Sequence, residues 1–218
     1  MEIRKNINFY RGEIEQHQAK LIAVSKTHPA EKIMEAYDAG QRIFGENKVQ
    51  ELNGKYEILP KDIQWHMIGH LQTNKVKFIA PFVSLIHSVD SEKLLAEINK
   101  QAEKAGRIIP CLLQVHIAEE ETKFGFDDNE VFSFVNDKLH AYKHVDVQGL
   151  MGMATFTDNQ DQVRKEFRHL KSLFEKIKSV SGTAALKELS MGMSADYKIA
   201  LEEGSTMVRI GSALFGGR

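Results

Sequence analysis

Short apolar runs alternate along the chain with longer, charged stretches of helical period. The runs are Leu21–Ser25, Arg42–Gly45, Gln64–Ile68, Leu85–Ser88, Pro110–Ile117, Val145–Met151, Glu188–Ser190 and Thr206–Ile210. Between them fall the helical patterns Glu31–Ala39, Val49–Tyr56, Ser91–Ala105, Asn129–Lys138, Gln160–Ser179 and Ser194–Glu202. A further helix, over Lys5–Gln18, precedes the first run. The runs are rich in Val, Ile and Leu and lack clean polar–apolar alternation. That suits strands buried on both faces, as in a parallel sheet covered by helices. Eight such runs, each followed by a helix or ending the chain, predict an α/β fold. The arrangement expected is a single closed (β/α)8 TIM-type barrel with an extra N-terminal helix, not an open doubly wound sheet. With four prolines and no low-complexity linker, residues 1–218 read as one domain. Active residues of a barrel sit at the C-terminal strand ends and in the loops that follow.

Composition narrows the partners. Lys and Arg number 29 against 30 Asp and Glu, a formal net charge of -1. That balance leaves no electrostatic footprint for nucleic acid or an acidic membrane surface. No stretch approaches the ~20 apolar residues of a membrane span. The opening Glu2-Ile3-Arg4-Lys5-Asn6 leads into no apolar core, so no signal peptide is expected. The single cysteine, Cys111, excludes an internal disulfide and a Cys-based zinc cluster, and reads as a buried core residue. A reducing cytoplasm is the expected compartment.

The first strand, Leu21-Ile22-Ala23-Val24-Ser25, runs into Lys26-Thr27-His28-Pro29. Strand periodicity puts Ile22, Val24 and Lys26 on one face. If that face is the barrel interior, Lys26 points into the mouth, where partial desolvation helps an amine lose its proton and attack an aldehyde. A lone lysine at a strand end otherwise reads as a solvated group, so the context decides.

That context lies near the end of the chain. Ser190-Met191-Gly192-Met193-Ser194-Ala195-Asp196 joins the seventh strand to a helix, with Ser194 as the expected N-cap and an anion favoured at the first-turn amides. The eighth strand ends on Arg209, followed by Gly211 and Ser212, whose amides can approach an anion closely. Glycines also simply make turns, but these loops follow strands seven and eight, where barrels recurrently bind phosphate. Strand eight closes against strand one, which predicts Arg209 and Lys26 as neighbours across the mouth. An aldehyde-bearing phosphate ester with a basic ring nitrogen fits: imine to Lys26, phosphate to the loop, ring nitrogen near Arg209. Pyridoxal 5'-phosphate (PLP) has those parts. A guanidinium donates to the pyridine nitrogen without protonating it, which makes the ring a poorer electron sink.

These residues carry a resemblance. Ala23-Val24-Ser25-Lys26-Thr27-His28-Pro29, Phe44-Gly45-Glu46-Asn47, His66-Met67-Ile68-Gly69-His70-Leu71-Gln72-Thr73-Asn74-Lys75, Lys123-Phe124-Gly125-Phe126 and Gly149-Leu150-Met151-Gly152-Met153 match, in order, the PLP homeostasis proteins (the YggS/PROSC family). The chain therefore resembles a family that shares the barrel of the alanine racemase N-terminal domain, a fold type III PLP-binding scaffold. The resemblance implies Lys26 as the imine lysine and Arg209 facing the pyridine nitrogen. It also implies Ser194, Gly211 and Ser212 at the phosphate and Asn47 near the cofactor. Ser212 stands where the family often has threonine. The family is implicated in storing or delivering PLP, with apo PLP-dependent enzymes as conceivable recipients, and the resemblance implies a monomer.

Other polar residues carry less. His66, His70 and Asn74 suit a polar loop capping a helix as well as they suit cofactor contact. Lys75 and Lys123 read as solvated lysines near the mouth, and Glu119-Glu120-Glu121 as a solvated loop; no metal site is expected. The Met-Gly-Met pairs read as barrel lining.

Three readings follow: a PLP carrier without turnover, a PLP-dependent amino-acid racemase, or an aldolase forming imines with a sugar phosphate. Racemisation needs acid–base groups on both faces of the imine. Alanine racemase takes a tyrosine from an additional β-rich domain, for which no sequence follows strand eight here. The five tyrosines Tyr10, Tyr37, Tyr56, Tyr142 and Tyr197 all fall in or beside helical patterns. The aldolase lacks convincing carboxylate and lysine neighbours on central strands. The carrier, with no catalytic residue, is the favoured reading.

Overall fold

Eight parallel strands close into a barrel in chain order, each bonded to the next and the last to the first. They are β1 (Lys20–Val24), β2 (Ile43–Glu46), β3 (Gln64–Met67), β4 (Leu85–Val89), β5 (Ile109–Gln114), β6 (Val145–Met151), β7 (Glu188–Met193) and β8 (Met207–Ile210). The computed structural model describes residues 2–120, 124–180 and 186–216. The helices are α1 (Glu2–Glu15), α2 (Ala30–Asp38), α3 (Val49–Ile58), α4 (Val76–Ile79), α5 (Glu92–Lys104), α6 (Asp128–Ser133), α7 (Gln160–Val180), α8 (Tyr197–Glu202) and α9 (Ser212–Phe215). None of the described helices is long and apolar enough to cross a membrane.

Strand side chains divide between two cores. Ile22, Leu85, Leu112, Met151 and Met207 fill the lumen, with Ile43 and Met153 packed against them. Ala23, Phe44, Trp65, Ile86, Leu113, Leu150 and Val208 belong instead to the larger layer between the strands and the helices, which includes Ile33, Leu52, Ile98 and Phe167. Two-sided burial explains why the runs read as continuous apolar stretches. The Met-Gly-Met pairs divide the same way. Met151 and Met153 do line the lumen, but Met191 lies in the outer layer. Cys111 is fully buried, and burial raises its thiol pKa.

The additional helix, α1, buries Ile3, Ile7 and Ile14 on one face and packs on α2, α9 and β1. Each such isoleucine contributes roughly 1.5–3 kcal/mol. α5 starts one residue after Ser91, whose hydroxyl accepts from the Leu94 amide. α6 opens with a reciprocal capping box between Asp127 and Glu130, then widens into a π-helical turn over Phe134–Lys138, so the expected single helix is two segments.

Two expected boundaries change near the mouth. β7 continues to Met193 because Gly192 takes φ +94° and lets the strand bend through a register shift. The following helix begins at Tyr197, with Asp196 at its N-cap position. Ser194 is therefore not the cap. It sits in the intervening turn, and its hydroxyl accepts from the Gly211 amide at 3.3 Å.

Candidate functional site

A cavity of about 800 Å³ opens at the C-terminal ends of the strands. Lys26, Asn47, Ser194, Arg209, Gly211 and Ser212 all line it, so the structure brings together every residue the sequence singled out for the cofactor. The outward alternation of β1 explains Lys26: Ile22 faces the lumen, Ala23 the helices, and Val24 and Lys26 the cavity. Lys26 is half-buried and is the one lysine lining the cavity among the described residues.

Its turn is tightly held. Thr27 has φ 66°, a left-handed conformation unusual for a β-branched residue, and its amide donates to Glu51 Oε1 at 2.5 Å. Ser25 is buried; its hydroxyl donates to Glu46 Oε1 at 2.6 Å, and its carbonyl accepts from Lys55 Nζ at 2.8 Å. Burial pushes the Glu46 carboxyl above the usual range, against the pull of Lys55. Asn47 is pressed from below by Gly69, where an added Cβ would lie 2.5 Å from Asn47 O. On the far wall the Gly211–Ser194 bond ties together the loops after β7 and β8.

Arg209 forms the floor and is buried. Its Nη1 donates to Ser190 O at 2.9 Å and Ser190 Oγ at 2.6 Å, and its Nη2 to Gly152 O at 3.1 Å. Burial lowers its pKa to about 10, opposed by the Asp196 charge, so it stays cationic at neutral pH. From Ser190 a chain runs through the lumen: His87 Nδ1 lies 2.9 Å from Ser190 Oγ, and His66 Nδ1 lies 2.9 Å from His87 Nε2. Arginine only donates, so Ser190 Oγ accepts at that end of the chain. The order Ser190 Oγ–H to His87 Nδ1 and His87 Nε2–H to His66 Nδ1 is one arrangement that satisfies every group, with the roles set by the histidine tautomers. Burial first, then neighbouring positive charge, takes His66 to about 3 and holds His87 well below the ordinary histidine value. Both rings are neutral.

Other candidates lie elsewhere. His66 is in this lumen chain and not on the cavity wall. His70 pairs with Asp90 at 3.0 Å and stacks on Phe124, and with Asn74 it lines a separate, smaller cleft. Lys75 lies over the Phe78 ring and does not line the main cavity. Glu119 is exposed, whereas Glu120 accepts from the Phe156 amide at 3.1 Å. Glu121 and Lys123 fall outside the described residues. The described residues hold no group of three or more metal-ligating side chains. Sequence reasoning missed the wall from Ala154 to Asp158, although its place after strand six was a signal by the same barrel rule. It also missed Glu51 and Lys55, whose partners are distant in sequence.

The family described as "Alanine racemase, N-terminal domain" matches residues 1–218. A "Pyridoxal phosphate homeostasis protein" of Aquifex aeolicus is 44% identical over 201 residues, covering 92% of this chain and 87% of that one. The structure of PipY from Synechococcus elongatus without PLP superposes with TM-score 0.92 at 36% identity, over 98% of this chain and 100% of that one. The same protein with PLP bound gives TM-score 0.90 at 35% identity, again over 98% and 100%. With this cavity on this barrel, the chain belongs to the pyridoxal phosphate homeostasis family, within the alanine racemase N-terminal domain fold.

Proposed function

We propose that this chain binds PLP in the barrel mouth and stores or delivers it, without turning over an amino acid. The observation that carries the reading is the placement of Lys26 on one wall of a single cavity, with the Ser194–Gly211 pair and Ser212 on another. The residues fit the group. At about 800 Å³ the cavity lies in the ordinary range for cofactor sites, roughly 300–1,000 Å³. Ser194 accepts from Gly211, which leaves its own hydrogen to donate to a phosphate oxygen beside the Ser212 hydroxyl and amide. Arg209 supplies a fixed donor from the floor. Its Nη1 and Nη2 are engaged below, which leaves Nε for a ring nitrogen. Asn47 completes the wall beside Lys26. PLP supplies an aldehyde: Lys26 Nζ, as the neutral amine, adds to its carbon, and the oxygen leaves as water with both amine hydrogens.

Two features support a carrier. Relatives are named homeostasis proteins. No tyrosine lines the cavity among the described residues, so the acid–base partner a racemase needs opposite Lys26 is not supplied in that form. The reading extends to a monomer of one domain, acting in the cytoplasm, with apo PLP-dependent enzymes as recipients.

Absorbance of the purified protein mixed with PLP tests the core claim. An imine band that borohydride fixes onto Lys26, and that Lys26→Ala removes, is expected. A protein that stays colourless overturns it. Following α-proton exchange of added amino acids tests the absence of turnover, and rapid stereoinversion would make the protein a racemase.

A further inference from the structure

Both peptide groups flanking Lys26 are gripped from outside their own strand. Lys55, on α3, directs its three ammonium hydrogens to Ser25 O at 2.8 Å, Glu46 Oε1 at 2.7 Å and Glu51 Oε1 at 2.6 Å. Glu51 Oε1 also takes the Thr27 amide. The Lys55 and Glu46 side chains are 9% and 0% exposed. Burying such ions costs several kcal/mol each, and a well-packed apolar set of similar volume often serves stability as well. The left-handed Thr27 adds local strain of the kind that persists only where surroundings over-determine it. A charged network and a strained residue thus converge on the turn that carries the one cavity lysine.

We propose that Glu51, itself held by Lys55, is a positioning residue for Lys26: by holding the Thr27 amide it keeps the turn left-handed and aims Nζ into the cavity. The inference rests on the cofactor reading above and adds how the amine is pre-set before PLP arrives. Pre-setting removes the orientation step from capture, and a displacement of an ångström at such a centre costs as much as a hundredfold in rate, about 10². Glu51 is the member whose loss the fold tolerates best. Its side chain is 23% exposed, and the Glu46–Lys55–Ser25 contacts remain without it.

The test compares the unmodified chain with Glu51→Ala and Glu51→Gln. Imine formation with PLP is followed by absorbance, and affinity for pyridoxine 5'-phosphate, which has no aldehyde, by calorimetry. Amide hydrogen exchange at Thr27 is read in the cofactor-free proteins. Glu51→Ala is expected to slow capture by about tenfold or more, speed exchange at Thr27 and leave pyridoxine phosphate affinity unchanged. Glu51→Gln, whose amide oxygen still accepts from Thr27, restores capture. Equal capture rates for Glu51→Ala and the unmodified chain overturn the inference. So does a parallel loss of pyridoxine phosphate affinity, or a failure of glutamine to rescue. An unmodified chain that forms no adduct on Lys26 overturns the cofactor reading and the inference with it.

Discussion

Arg209 on β8 lies opposite Ile22 on β1, four residues before Lys26 along the chain. The two cationic side chains therefore line the same cavity at different depths, Arg209 on the floor and Lys26 toward the rim. β1 ends at Val24, so Lys26 enters the cavity from the turn beyond the strand, while Arg209 enters it from within β8.

Arg209→Met keeps the side-chain length and removes every donor. Ser190 O, Ser190 Oγ and Gly152 O then lose the guanidinium in a buried place; Ser190 O keeps the Gly152 amide and Ser190 Oγ keeps His87, so Gly152 O bears the largest loss. We expect the free energy of unfolding to fall by about 1–3 kcal/mol. The urea midpoint drops with an unchanged slope, while borohydride still fixes PLP onto Lys26. A loss of the Lys26 adduct in a folded Arg209→Met protein would show that the floor, not the rim, governs capture.

Gly192→Ala tests the bend in β7. Gly192 has φ +94°, and an added Cβ would lie 2.5 Å from Ala200 Cβ and 3.1 Å from Tyr197 Cα. Neither is the end of a flexible side chain, so α8 must shift and drag the Ser194 turn with it. The expected cost is about 1–3 kcal/mol of stability, with weaker binding of PLP measured in the same preparation. Unchanged thermal denaturation would mean that the bend relaxes freely.

The barrel and its mouth were legible from sequence because they depend on order. Eight buried runs in alternation with helices imply closure, and closure alone brings Lys26 near Gly211 and Ser212, almost the full chain length away. Pairings set by distant side chains were not legible. A serine before a helical pattern gives the same local signal whether it caps that helix or, as Ser194 does, accepts from Gly211 on the next loop. Likewise Lys55 reads as a polar position on a helix. Nothing beside it reveals that its ammonium is buried against Glu46. His66 looked like a strand-end residue, and only the parallel register of β3 and β4 sets it next to His87.

Ser194 and Ser212 are expected to differ in tolerance. Ser194→Ala removes both the acceptor of the Gly211 amide and a hydroxyl donor, so it should weaken PLP and inorganic phosphate binding by about tenfold, the worth of one charge-assisted hydrogen bond. Ser212→Thr keeps hydroxyl and amide and should leave PLP affinity within about twofold. Titration calorimetry with both ligands separates the two. Equal losses would place the phosphate away from Ser194.

Neutral His66 and His87 make the fold sensitive to acid. In the unfolded chain each binds a proton near the ordinary histidine value of about 6.5. In the native lumen His66 does so only near 3, and His87 is likewise held well below its usual value. The unfolded state therefore binds more protons below about pH 6.5, and stability must fall with falling pH. The contribution is fully present above that value and is lost from there downward, toward 3 for His66. Each ring accounts for about 1.4 kcal/mol per pH unit within that window. Glu46 acts with the opposite sign. Its carboxyl is raised by burial, so its contribution is present below the usual carboxylate range and is lost as pH rises through its raised value. It therefore offsets the histidines as pH falls from that raised value toward the usual carboxylate range. Urea unfolding between about pH 7.5 and about pH 5 should show the decline. His66→Gln, whose side-chain oxygen still accepts from His87, should reduce the slope by about half. A stability that stays flat over this interval would mean that the lumen pair takes up a proton and that the chain from Arg209 does not hold both rings neutral.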